Sequence, residues 1–215
     1  MQTNSNTLTV AVLGFLATIL GFFSTAGAEG PRATDYEGQT ATAVFAGGCF
    51  WCVEADFDKV DGVIATVSGY TGGSVNNPTY KQVTYSDTGH YEAVEVTYDP
   101  SVVSYEELVA YFFRHIDPTD PDGQFCDTGD SYRTAVFVAN PDERVVVEAE
   151  IAGIEASGVL GEPVVTKVRL LGQFWPAEDH HQDFYKKSPG RYSSYRAACG
   201  RDRALERLWG SDPES

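Results

Sequence analysis

The chain has 215 residues, 42% hydrophobic and 13% aromatic, enough for one packed core and too little for two comfortable domains. Charged residues make up 21%, so the bulk of it does not read as disordered. A net charge of −16 argues against a nucleic-acid partner, since phosphate binding needs clustered Lys and Arg, and it suits a soluble protein.

No Lys, Arg, Asp or Glu occurs in the first 28 residues. An apolar run from Leu8 to Phe23 leads to Ala26-Gly27-Ala28, the pattern of a secretory signal with an A-x-A cleavage site, although the basic residues usual near the start are missing. Residues 1–28 are therefore expected to be a signal peptide and the protein to be exported, periplasmic or extracellular. The alternative is an anchor by an uncleaved N-terminal segment, for which a run of about 16 residues is short. Residues 29–40 read as a linker, and residues 41–215 as a single catalytic domain with a C-terminal tail over 174–215.

Within that domain, Thr42 to Phe45 reads as a short buried strand and Gly47-Gly48 as a tight turn, followed by a helix from Cys49 to Val60. Gly62 to Tyr70 is a second strand, and 76–89 is turn-rich. Glu92 to Tyr98 alternates, with Glu92, Val94 and Val96 on one face and Glu95, Thr97 and Asp99 on the other. Ser104 and Glu107 form a capping box ahead of an amphipathic helix through Ile116. Tyr132 to Val138 predicts a central strand, Asn140-Pro141 opens a long helix that Gly158 ends, and Val164 to Leu170 is a further strand. This order predicts an α+β two-layer sandwich: a ferredoxin-like mixed sheet with helices packed on one side and a long irregular C-terminal tail.

Four cysteines remain for chemistry: Cys49, Cys52, Cys126 and Cys199. Cys49 falls at a helix N-terminus, where unpaired backbone N–H groups and the positive end of the dipole lower a thiol pKa. Cys52 follows one helical turn later, as in redox Cys-x-x-Cys pairs, or packs in the core. Glu92 lies on the apolar face of its strand, where burial raises a carboxyl pKa and leaves a neutral acid able to donate a proton, unless a basic partner claims it. Phe50, Trp51, Tyr80 and Tyr132 can wall a pocket or simply fill the core. A metal site is disfavoured: there is no second Cys-x-x-Cys, and His180 and His181 are adjacent, about 100° apart on a helix. A chain whose only methionine is Met1 also offers little to sulfoxide formation.

The segment Gly47-Gly48-Cys49-Phe50-Trp51-Cys52 resembles the signature of peptide methionine sulfoxide reductases of the A type. The likeness continues through Gly69 to Gly73, Asn77 to Tyr80, Thr88 to Val94, Asp117 to Thr119, Gly123 to Gly129 with Tyr132-Arg133, and Phe174 to Gln182. The resemblance implies Cys49 as nucleophile on the sulfoxide sulfur, Glu92 as the acid that protonates its oxygen, and Tyr80 and Tyr132 as hydrogen-bond donors to it. Phe50 and Trp51 would hold the methyl group, and Asp127 would help hold substrate or water. Family members act on the S epimer, free or peptide-bound. They leave a sulfenic acid that a second thiol condenses with, and an external dithiol such as thioredoxin completes the cycle without a cofactor.

Cys52 stands where most relatives have Gly, so two residues compete to resolve Cys49. Cys199 resembles the C-terminal recycling cysteine and is favoured as the residue that resolves Cys49 or that receives the disulfide from Cys52; Cys126 is expected to be a bystander. The chain is expected to act as a monomer. Two rivals stay open: a thioredoxin-like disulfide oxidoreductase, which leaves Glu92, Tyr80 and Tyr132 unused, and a disulfide-stapled secreted binding module, which needs Cys49 locked in a bridge.

Overall fold

The computed structural model describes residues 1–2 and 36–210. The expected signal peptide and most of the linker lie outside the described residues. Contacts divide the chain into Met1–Gly30 and Pro31–Ser215, and every strand and helix described lies in the second unit. Among the described residues, no helix is long and apolar enough to cross a membrane.

Strand β1 (Ala41–Gly47) leads to helix α1 (Phe50–Phe57), β2 (Val63–Thr71), a short α2 (Tyr80–Tyr85), β3 (Tyr91–Tyr98) and α3 (Tyr105–Arg114). A two-residue pair, β4 (Gly123–Gln124) and β5 (Asp127–Thr128), precedes a 3₁₀ turn at Asp130–Tyr132 and β6 (Thr134–Val138). Then come α4 (Pro141–Ser157), β7 (Lys167–Leu170), β8 (Trp175–Pro176), α5 (Phe184–Lys187), α6 (Pro189–Cys199) and α7 (Arg201–Trp209).

The main sheet runs β7-β6-β1-β3-β2-β8. β3 sits between β1 and β2, antiparallel to both, and β6 is antiparallel to β1. β6, β1, β3 and β2 thus form the ferredoxin-like centre of an α+β fold. β7 extends it in parallel with β6, as the crossover through α4 requires, and β8 pairs with β2.

Local rules account for most element ends. The Ser104 hydroxyl accepts from the Glu107 N–H, and Glu107 returns to the Ser104 N–H, which opens α3 at Tyr105. Asn140 caps α4 with Pro141 at its first turn, and Gly158 ends it in the left-handed region at φ 67. The larger core joins Phe45, Phe57, Val94, Val96, Leu108, Phe112 and Val136. A smaller one holds Val44, Ala46, Tyr91, Ala93, Ala135 and Phe137. Burial of β1 and β6 on both faces explains why they lack a clean apolar–polar alternation, whereas β3 keeps alternating buried and half-buried residues from Val94 to Tyr98.

The tail is expected to be irregular with short helices, and the short helices are there. It carries helices of 11 and 9 residues, α6 and α7, hinged at Gly200 with φ 72. Isolated helices this short are marginal in water, so they depend on anchors to the domain.

Candidate active site

At the end of β1 the chain turns through Gly48, whose φ of +84 suits glycine and where a Cβ would lie 2.5 Å from Cβ of Gln124. Gln124 is fully buried and braced on Asp117, accepting from its N–H at 2.8 Å and donating to its carbonyl at 2.6 Å. Cys49 thereby becomes the cap residue of α1, buried at 6% exposure. The next residue closes the link to the middle of the sheet: Phe50 N–H donates to Glu92 Oε2 at 3.0 Å. Glu92 sits on β3 opposite Tyr70 of β2. Burial pushes its pKa up to about 8, so near neutral pH it is mostly the uncharged acid. Its second oxygen, Oε1, is buried without a close hydrogen-bond partner among the described residues, with Tyr132 beside the carboxyl.

Tyr80 and Tyr132 stand beside this carboxyl with their hydroxyls hydrogen-bonded to each other, both held protonated chiefly by burial. Glu178 fixes Tyr80 by accepting its backbone N–H at 2.9 Å, and accepts the Tyr70 hydroxyl at 2.9 Å with its other oxygen. Trp51 stacks on Phe184 at 3.8 Å between ring centroids and meets Tyr195 edge-on at 5.9 Å. Its indole N–H donates to Nδ1 of His181 at 3.1 Å. Burial, with His180 alongside, pushes the pKa of His181 down to about 4, so the ring is neutral and free to accept. Phe50 lies 5.1 Å from His181 and 6.3 Å from Tyr80 between centroids. Asp127, from β5, accepts the Tyr195 hydroxyl, and burial raises its pKa. The structure thus brings together Cys49, Phe50, Trp51, Tyr80, Glu92, Asp127 and Tyr132, all named from sequence.

Two expectations are corrected. Cys49 is not a low-pKa thiol in the free protein: burial first, then the hydrogen bond it donates to Cys52 and the nearness of Glu92, hold it well above the ordinary thiol range. The short helix that follows does not outweigh desolvation. Nor is Cys126 a bystander, because it forms a disulfide with Cys199 across 73 positions of sequence. The chain reverses at Phe125, with φ 59, and sets Cys126 against the end of α6. Cys49 and Cys52 remain as free, buried thiols. Cys126, Asp127 and Cys199 place their donor atoms within 4.8 Å of one another, but both sulfurs are spent in the bridge rather than offered to a metal.

Sequence reasoning missed His181, Glu178, Tyr195 and Arg201. The first two lie inside the Phe174–Gln182 block; His181 was weighed there only for metal binding, and Glu178 was given no role. Tyr195 and Arg201 come from the tail, where aromatic and Arg-rich composition is the only sign. Arg201 is 2% exposed and donates to the carbonyls of Gly47 at 3.2 Å and His115 at 2.8 Å, so it clamps the strand end just before the nucleophile.

A buried thiol beside an uncharged carboxylic acid and two phenols, walled by Phe and Trp, suits removal of oxygen from an S=O group. The sulfur attacks while the acid and phenols take over the charge that grows on oxygen. The fold and site define a thiol-dependent oxidoreductase of the α+β class. The comparisons with known proteins specify which one. The sequence model of the family Peptide methionine sulfoxide reductase matches residues 41–213, and the chain belongs to that family. It is 55% identical over 168 residues to peptide methionine sulfoxide reductase MsrA 2 of Rhizobium meliloti, covering 78% of this chain and 83% of the relative. It is 48% identical to MsrA of Halalkalibacterium halodurans, over 78% and 96% of the two chains. Methionine sulfoxide reductase A of Corynebacterium diphtheriae superposes with a TM-score of 0.64 at 35% identity, over 74% of this chain and 82% of that one. The protein is a methionine sulfoxide reductase of the A type.

Proposed function

We propose that the protein is an exported repair enzyme that reduces the S epimer of methionine sulfoxide, free and in oxidised proteins, with Cys49 as nucleophile and Glu92 as acid. The observation that carries the site assignment is the 3.0 Å hydrogen bond from Phe50 N–H to Glu92, which ties the residue after the nucleophile to the buried acid. Phe50 and Trp51 offer apolar faces to the substrate's methyl group, Tyr80 and Tyr132 hydrogen-bond its oxygen, and Asp127 with Tyr195 closes the opposite side. Attack by Cys49 and loss of methionine leave a sulfenic acid.

Resolution then falls to Cys52. It is hydrogen-bonded to Cys49, whereas the sulfur of Cys199 is committed to Cys126. The resulting Cys49–Cys52 disulfide needs an external dithiol of the thioredoxin type, supplied with electrons outside the cytoplasm, and the enzyme works as a monomer without a cofactor. Export is supported by the apolar run and small-residue site before Glu29, and by a structural disulfide, which persists in oxidising compartments.

The test is a single-turnover assay on the separate S and R epimers. Wild-type protein should release one equivalent of methionine from the S epimer only, Cys49→Ser should release none, and Cys52→Ser should stop after one turnover. Methionine release from the Cys49→Ser protein rules out the nucleophile; equal use of both epimers rules out the substrate assignment. N-terminal sequencing of protein recovered from outside the cytoplasm should begin at Glu29.

A further inference from the structure

Trp51, Glu54 and Asp58 lie along one stripe of α1 and its C-terminal end, and all three meet the same segment of the tail. Trp51 donates to Nδ1 of His181 at 3.1 Å. Glu54 Oε1 accepts the backbone N–H of Asp183 at 3.1 Å. Asp58 Oδ2 accepts from the Tyr185 hydroxyl and the Lys186 ammonium, each at 2.6 Å. The outer two links join side chains, and that of Lys186 is 54% exposed. The middle link holds the main chain, from a residue that is 1% exposed.

That link falls on a strained point. Asp183 stands in the left-handed region at φ 52 and opens α5, a helix of four residues with no side-chain cap. One turn of helix cannot hold its own shape in water. Its first residue, Phe184, nonetheless lies flat on Trp51, with ring centroids 3.8 Å apart and planes 12° from parallel. Where that ring sits therefore depends on what holds the turn before it.

A buried carboxyl is also a poor filler for a core position. Burial pushes the pKa of Glu54 up to about 8, and the hydrogen bond from Asp183 N–H works against that rise. Its Oε2 is buried with no hydrogen-bond partner among the described residues. Asp56, two positions further on, is instead paired with Arg196 at 2.9 Å and Lys59 at 3.0 Å. An apolar side chain would fill the place of Glu54 without desolvating a polar group, but it could not accept from Asp183.

We propose that Glu54 is a positioning residue for substrate binding, a role that rests on the sulfoxide reductase reading above. By accepting from Asp183 N–H it keeps the main chain in the left-handed turn that lays Phe184 on Trp51. It thereby sets the apolar wall against which the substrate's methyl group packs. Glu54 acts through Phe184 and Trp51, not on the reacting atoms.

The experiment compares full-length Glu54→Leu, Glu54→Gln and Phe184→Leu with wild type, using the S epimer of methionine sulfoxide and a small dithiol. In Glu54→Leu, KM should rise about tenfold, as for one lost buried hydrogen bond, while single-turnover release at saturating substrate stays within about threefold. Glu54→Gln, whose amide oxygen can still accept from Asp183 N–H, should recover most of that loss. Phe184→Leu should raise KM to a similar degree, and the double variant Glu54→Leu/Phe184→Leu should be no worse than the larger single effect, because both act through one stack. A KM in Glu54→Leu within about twofold of wild type, a rise that Gln does not reverse, or additive effects of the two Leu variants overturns the role.

A second measurement needs neither substrate nor a variant that folds. In wild-type protein the Asp183 amide should exchange its hydrogen at least about tenfold more slowly than the exposed amide of Gly161. Equal rates overturn the bracket. A protected Asp183 amide in a protein that fails on methionine sulfoxide leaves the bracket standing and sinks the reductase reading instead.

Discussion

Replacing Glu92 by Gln separates what the buried acid does for the reaction from what it costs the fold. The amide oxygen can still accept from Phe50 N–H, so the 3.0 Å link to α1 survives while the transferable proton is lost. Burial raises the carboxyl from 4.5 to about 8, a gap of 3.5 units, which corresponds to roughly 4–5 kcal/mol at 1.36 kcal/mol per unit. Because the folded-state pKa lies above the unfolded one, the native state holds the proton more tightly. This contribution to stability is complete below pH 4.5 and drains away as pH rises toward 8.

The Glu92→Gln variant has no such drain. Its stability relative to wild type should be flat below pH 4.5, then climb by about 1.4 kcal/mol per pH unit to a gain of roughly 3 kcal/mol at pH 7. Single-turnover methionine release should fall about 10²–10⁴-fold at pH 7. In wild type the rate should drop about tenfold per unit above pH 8, as the acid form is lost. Urea unfolding from pH 4 to 8 and quench-flow measurement of methionine release read both effects. A rate within twofold of wild type, or a stability difference that ignores pH, would refute the reasoning.

His181→Leu removes the acceptor of the Trp51 indole and leaves that N–H without a partner; KM for methionine sulfoxide should rise about tenfold, with a smaller change in kcat. Cys199→Ser opens a bridge that spans 73 positions and should cost roughly 2–4 kcal/mol in urea unfolding. Multiple turnovers with a small dithiol should continue at moderate temperature, since Cys49 and Cys52 stay in place; loss of turnover in folded protein would return the resolving role to Cys199. Gly48→Ala forces a Cβ to 2.5 Å from Gln124 at φ +84, and should lower Tm and slow alkylation-sensitive chemistry at Cys49 together.

What the amino-acid order determines here is local. The alternation around Glu92 set its face of β3, the Ser104–Glu107 box set the start of α3, and the strand–Gly-Gly–helix step put Cys49 at the head of α1, because each depends on neighbours a few positions apart. The signature blocks also named seven residues that the fold brings together. The tertiary structure alone decided which way the thiols titrate, since desolvation and charge balance belong to a three-dimensional environment and not to a motif. It also decided that Cys126 meets Cys199, that His181 fixes Trp51 from 130 positions away, and that Arg201 clamps Gly47 from 154. Contacts of such separation depend on how α6 and α7 settle on the finished sheet, which no local periodicity encodes.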